Sequence, residues 1–278
     1  MVEARVTIEG ARIVIAVASG KGGVGKSTVS VNLALALAGL GYKVGLFDGD
    51  VHGPDVPLML GARRKGRAEQ EAAMVTVAIA ANAEKDMPKG RPLERFGLKM
   101  MSLGLLVGEE QPIIPDTNLV GSMVMQLLRS TDWGGADFLL IDLPPGTGEP
   151  QITLSQRLHI DGVVLVSTPA DVALLDTTKA LNLYSDQGIR VFGLVENMSY
   201  YICPCCGDRS EIFPRSRRAA ERTISSVPIL GRIPLNPEVG IAGDDGRPLV
   251  VTAPEGIVAQ AFLETARQLI RVIEQPPT

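Results

Sequence analysis

At 278 residues the chain is near the upper size for one hydrophobic core, and such a chain buries roughly 75% of its unfolded surface without disulfide staples. Its formal net charge of −4 lays down no electrostatic footprint for nucleic acid, so no nucleic-acid partner is expected. Three cysteines permit one disulfide at most, and the N-terminal apolar stretch of about six residues is too short for a signal peptide or membrane span, so a reducing, cytoplasmic setting with no membrane partner is expected.

The run RIVIAVAS (12–19) is short, β-branched and apolar, which predicts a buried parallel strand. After a glycine-rich stretch, KSTVSVNLALALAGLGY (26–42) has helical spacing, with Leu33, Leu37 and Leu40 on one side and Gly41 as the stop. KVGLFDGD (43–50) is a second strand, ending in Asp48 and Asp50. Residues 62–95 break the pattern: they are charged, rich in alanine and weakly periodic, and read as an excursion around one short strand candidate at 75–79. The run Arg63-Arg64-Lys65 with Arg67 inside it reads as a solvated loop face. Strand spacing resumes at 98–104, a helix follows at 118–130, and DFLLID (137–142) and GVVLVSTP (162–169) are two further strands. A helix at 172–188 closes on Gly188 and a strand follows at 191–197. Beyond a cysteine-bearing loop at about 199–212 come a polar helix, the segment PILGRIP (228–234), and a last helix over 255–273. The apolar residues of that last helix, Ile257, Phe262, Leu263, Leu269, Ile270 and Ile273, suit the fold's own packing rather than a membrane anchor. Strands alternating with helices imply right-handed crossovers. The expected fold is α/β, one domain over 1–278, with a doubly wound, mostly parallel sheet flanked by helices.

The stretch GKGGVGKS (20–27) matches G-x-x-x-x-G-K-[ST] directly after a strand and opens a helix, the context that a P-loop requires. Gly20, Gly22, Gly23 and Gly25, with Val24, let backbone N–H groups converge on phosphate oxygens, and Ser27 and Thr28 start the helix whose positive end faces them. Lys26 suits the β- and γ-phosphates of ATP, and Ser27 suits magnesium. Lys21, on the loop's outer lip, is either an exposed lysine or a charge lent to a partner subunit's nucleotide. Ligands bind at the carboxyl ends of parallel strands, where Asp48, Asp50 and Asp142 fall. Asp142 is placed to hold magnesium through water and leads into LPPGTG, a loop able to switch; Asp50 suits the attacking water. Asp48 reads equally as a cap or a strand-end acceptor. Asn197 ends a late strand with an amide able to meet an adenine edge. The histidines, His52 and His159, lie in unrelated segments, which disfavours a nickel-type metal chaperone.

All three thiols, Cys203, Cys205 and Cys206, lie in YYICPCCGDR (200–209). Core packing gives no reason for such clustering. A zinc ion or an iron–sulfur cluster takes four thiolates, and one chain offers the CxxC pair Cys203 and Cys206 plus a spare. A two-fold dimer would bring two pairs together and make four. Zinc, a cluster and a redox dithiol all stay open on the residues alone.

With these residues assembled, the chain resembles the Mrp/ApbC family of iron–sulfur cluster carrier ATPases, within the deviant Walker A group that includes MinD, ParA and the nitrogenase iron protein. The resemblance runs through VASGKGGVGKST, DGDVHGPDVPLMLG, DFLLIDLPPGTGEPQ, VALLD, ENMSYYICPCCG and GRIPLNPEV. It implies a homodimer that binds ATP between subunits and carries a labile 4Fe–4S cluster to apo iron–sulfur proteins. It makes Lys21 the signature lysine, Asp50 and Asp142 switch acids, Asn197 the adenine reader and the backbone near Pro234 a flank of the base. It also favours a cluster over zinc on Cys203 and Cys206. A MinD- or ParA-like positioning ATPase with structural zinc at the CxxC is the alternative. The family usually has a Trp-Arg-Gly-Pro stretch where this chain has IIPDTNLVGS, a glycine-rich patch where it has PRSRRAAE, and a residue other than cysteine at 205.

Overall fold

A computed structural model describes residues 5–51, 53–62, 90–105, 117–213, 224 and 226–275. The elements along the chain are β1 (Ala11–Ala18), α1 (Lys26–Gly39), β2 (Val44–Asp48), α2 (Val56–Met59), β3 (Leu93–Arg95), β4 (Leu98–Ser102) and α3 (Thr117–Ser130). They continue with β5 (Ala136–Asp142), α4 (Glu149–Arg157), β6 (Gly162–Ser167), α5 (Asp171–Asp186), β7 (Val191–Glu196), β8 (Tyr201–Ile202) and β9 (Arg209–Ser210). The last are β10 (Ile229–Arg232), α6 (Pro237–Asp244), α7 (Leu249–Thr252) and α8 (Ile257–Glu274).

Eight strands form one sheet in the order β10-β7-β6-β1-β5-β2-β4-β3, and every pairing in it is parallel except β3 with β4. The expected doubly wound, mostly parallel sheet is therefore present. Strands β2 and β6 are buried along their whole length, as helix-covered strands must be. Two apolar layers sandwich the sheet. One gathers Ile15, Val17, Leu46, Met100 and Leu140 against α1 and α8; the other gathers Val14, Phe47, Leu139, Ile141 and Trp133 on the opposite face. Trp133 is fully enclosed and donates its indole N–H to Leu128 O at 3.0 Å, so its one polar atom is satisfied.

Helix α1 departs from the one-sided pattern. Val29 through Leu37 are all buried, because the helix lies between the sheet and α8 rather than on the rim. Helix α8 does present one face: Val258, Ala259, Phe262, Thr265, Ala266 and Leu269 are buried, and it packs on α1 and β10 as the fold's own last helix. No helix among the described residues is long and apolar enough to cross a membrane.

Four helices and an edge strand were not foreseen, the first being short α2, with Pro57 in its first turn. Pro150 sits in the first turn of α4, and Pro237 starts α6, where the Asn236 side chain accepts from Glu238 N at 2.8 Å. Short α7 follows Pro248. Strand β3 lies inside the expected excursion at 62–95 and turns into β4 through Phe96 and Gly97, at φ 50° and 79°. Residues 63–89 of the excursion, with the strand candidate at 75–79 and the basic run at 63–67, lie outside the described residues. So do His52 and most of the expected polar helix after the cysteines.

Candidate nucleotide site and thiol hairpin

The carboxyl edge of β1, β5 and β2 assembles the first site. Parallel register sets Val17 beside Asp142 and Asp48 beside Asp142, so both acids emerge at one level next to the loop leaving β1. Gly25 precedes α1 at φ 81°, and the first helical bond runs from Val29 N to Gly25 O at 2.9 Å. The N–H groups of Lys26, Ser27 and Thr28 thus open the helix with no side-chain cap, free to meet an anion. Gly20 lies so close to Asp176 and Thr177 of α5 that any side chain there would strike their backbone.

Asp142 is the hub. Its Oδ2 accepts from Lys26 Nζ at 2.7 Å and from Ser27 Oγ at 2.7 Å, and its Oδ1 accepts from Ser30 Oγ at 2.6 Å. Both ends of the Lys26–Asp142 ion pair are buried. Sequence reading placed Lys26, Ser27 and Asp142 together but missed Ser30, whose signal was its position one helical turn after Lys26. Asp48 serves as a strand-end acceptor: its Oδ2 accepts from Ser102 Oγ at 3.0 Å and its Oδ1 from Asp50 N at 3.1 Å. Burial, then the neighbouring Asp142 charge, pushes the Asp48 carboxyl well above its ordinary range. Asp50 Oδ1 accepts from Gly53 N at 3.3 Å. Asp55, also missed, has its carboxyl raised by burial and by Asp50. Lys21 is partly exposed, and among the described residues no carboxylate pairs its ammonium.

Asn197 is buried and donates its amide N–H to Val24 O at 2.8 Å, so it braces the loop directly. Pro234 is buried between two rungs, Ile233 N to Glu196 O at 2.9 Å and Leu235 N to Tyr200 O at 2.7 Å. The loop after Asp142 is tied at Gly146, whose N–H donates to Ser19 O at 3.0 Å. His159 lies before β6, at the opposite end of the sheet, 3.6 Å from Asp161.

The cysteines sit in a hairpin closed by β8 and β9. Cys203 N donates to Asp208 O at 2.9 Å and Gly207 N donates to Cys203 O at 2.8 Å, with Gly207 at φ 75°. This turn aims the N–H groups of Cys206 and Cys205 at the Cys203 sulfur, and those bonds, then the Cys206 thiol, hold the Cys203 thiol below its ordinary range. All three thiols are free; Cys205 and Cys206 are exposed, and Cys203 is partly so. The Cys205 thiol also faces Cys203, more weakly than that of Cys206. Among the described residues no three His, Cys, Asp or Glu side chains are gathered to hold a metal ion. Arg209 stacks on Tyr200 at 3.8 Å from the ring centre, at the base of the hairpin.

A parallel sheet with a glycine loop between its central strand and a buried helix, and with lysine, serine and aspartate meeting at its carboxyl edge, defines a P-loop NTPase. Residues 10–270 match the family described as ParA, NUBPL iron-transfer P-loop NTPase. The chain belongs to that family. The iron–sulfur cluster carrier protein of Aquifex aeolicus is 44% identical over 271 residues, spanning 97% of this chain and 70% of that protein. The iron–sulfur cluster transfer protein NUBPL of Mus musculus is 40% identical over 272 residues, 97% of this chain and 80% of that one. Among solved structures, the nucleotide-binding protein of Archaeoglobus fulgidus in complex with ADP superposes with a TM-score of 0.69 at 32% identity, covering 91% of this chain and 93% of its own.

Proposed function

We propose that two copies of this chain bind ATP between them, hydrolyse it, and hold a labile 4Fe–4S cluster between their thiol hairpins for transfer to apo-proteins in the cytoplasm. The carrying observation is the union, in one chain, of the Lys26–Ser27–Asp142 constellation with a hairpin whose backbone turns N–H groups onto a cysteine sulfur. Family membership supports both halves.

The Ser27 hydroxyl and the Asp142 carboxylate form an oxygen donor set that fits magnesium, which, when bound, offsets charge on the β- and γ-phosphates. The loop amides and Lys26 grip the phosphates, and Lys26 exchanges Asp142 for them. Asp50 orients the water that attacks the γ-phosphorus as the bond to the β,γ-bridging oxygen breaks, releasing ADP and phosphate. Lys21 is lent by the partner to stabilise that transition state. The Asn197 amide reads the adenine edge, with Pro234 beside the base. Cys203 and Cys206 from each copy supply four thiolates, and Cys205 is a spare.

The test is anaerobic reconstitution with iron and sulfide, followed by an iron and sulfide count per dimer. About four irons per dimer are expected for the wild type, and cluster loss for Cys203→Ala or Cys206→Ala but not for Cys205→Ala. Tightly bound zinc in place of iron, or a cluster that survives loss of either pair member, overturns the carrier reading.

A further inference from the structure

We propose that residues 197–200 form a coupling segment that reports nucleotide occupancy of the P-loop to the thiol hairpin, with Met198 as its switch point. The inference deepens the carrier reading and rests on it for the two ligands, but its geometry is independent.

The segment touches both sites. At its start, Asn197 N donates to Ser167 O at 2.7 Å while its side chain holds Val24 O. A methyl added at Gly25 would collide with Asn197 Nδ2 and lie 3.5 Å from Met198 Cε, so both side chains lie against the loop. At its end, Ser199 N donates to Ile233 O at 2.9 Å and Tyr200 O accepts from Leu235 N at 2.7 Å. These rungs continue the β7–β10 pairing past the sheet and anchor the hairpin, which begins at Tyr201. Only the four residues 199–202 separate Met198 from Cys203.

Met198 is at φ 52°, and Phe96 is the one other described non-glycine residue at positive φ. For such a residue the left-handed well lies roughly 1–2 kcal/mol above the ordinary regions, so it persists only while its surroundings impose it. The surroundings here are the P-loop on one side and the 233–235 rungs on the other. A loop ordered by phosphates favours the packed, left-handed Met198; a loosened loop releases it and frees the root of the hairpin. That supplies a two-well element biased from both sites, which reciprocal coupling requires.

The experiment uses the full chain in chelator, without cluster, and follows alkylation of Cys203 by iodoacetamide through peptide mass spectrometry. Magnesium with a non-hydrolysable ATP analogue should change the wild-type rate by about fivefold or more, the lower end of ordinary coupling between sites. Met198→Gly, which adopts positive φ without strain, should fold and bind the analogue yet lose that change, whereas Met198→Leu should keep it. An unchanged wild-type rate despite measured binding, or a full response in Met198→Gly, overturns the proposal. Because no cluster is present, failure here leaves the carrier reading standing, and failure to bind iron leaves the coupling result intact.

Discussion

The Lys26 ammonium lies 2.7 Å from Asp142 Oδ2 with both side chains buried, so the lysine proposed for phosphate is held by the aspartate proposed for magnesium. Removing one member of a buried pair strands the other charge, at a typical cost of 3–5 kcal/mol. Two serine hydroxyls still reach Asp142, so Lys26→Ala should cost about 3 kcal/mol in urea unfolding and abolish ATP binding in a calorimetric titration. Wild-type affinity in that variant would sink the P-loop assignment.

Ser30 offers a gentler probe of the same hub. Ser30→Ala removes a hydrogen bond to a carboxylate, worth roughly 1.5–3 kcal/mol, and leaves Lys26 and Ser27 in place. Stability should fall within that range while ATP still binds. Unaltered unfolding would mean that Asp142 does not depend on this helical turn.

Lys21→Ala should bind ATP normally and hydrolyse it about a thousandfold more slowly, because in the proposed dimer its charge would act across the interface in the transition state. Mixed with Lys26→Ala subunits, it should regain part of its activity, since that chain keeps its own Lys21. No recovery at any mixing ratio would place Lys21 in cis or make it a bystander.

Gly25→Ala asks whether the loop tolerates a side chain. With φ at 81° and Asn197 Nδ2 in the way, the variant should lose nucleotide binding and about 1–2 kcal/mol of stability. Native ATP affinity in a calorimetric titration would contradict the observed loop geometry.

The lowered Cys203 thiol gives a pH signature. A group whose folded pKa is depressed keeps its charge to lower pH, so the alkylation rate should fall only when pH drops through that lowered value. In the folded chain the midpoint of rate against pH should lie below that of the same cysteine unfolded in urea. Coincident midpoints would show that the turn does not stabilise the thiolate.

The central strands were legible because β-branched runs closed by glycine have few other readings, and the P-loop was legible because its spacing sits between such a strand and a helix. Asn197 shows what local pattern cannot carry. Its brace on Val24 spans 173 positions, and nothing near residue 197 announces it. Strand β3 was hidden for another reason: three residues, two of them exposed, carry too little periodicity, and its turn uses Phe96 at positive φ, where sequence alone expects glycine or asparagine. Helix α6 was readable in hindsight from Asn236 and Pro237, a cap and a first-turn proline. Ser30 lay one turn from a recognised lysine, yet its partner is 112 positions away.

The burial of α1 on every side has a mechanical consequence. A helix wedged between a sheet and α8 has no solvent face along which to slide, so it acts as the bedplate of the machine. Under the ATP cycle proposed above, movement would then fall to the segments beside its first turn: the loop from Asp142 to Gly148 and the short span from Asn197 to the thiols.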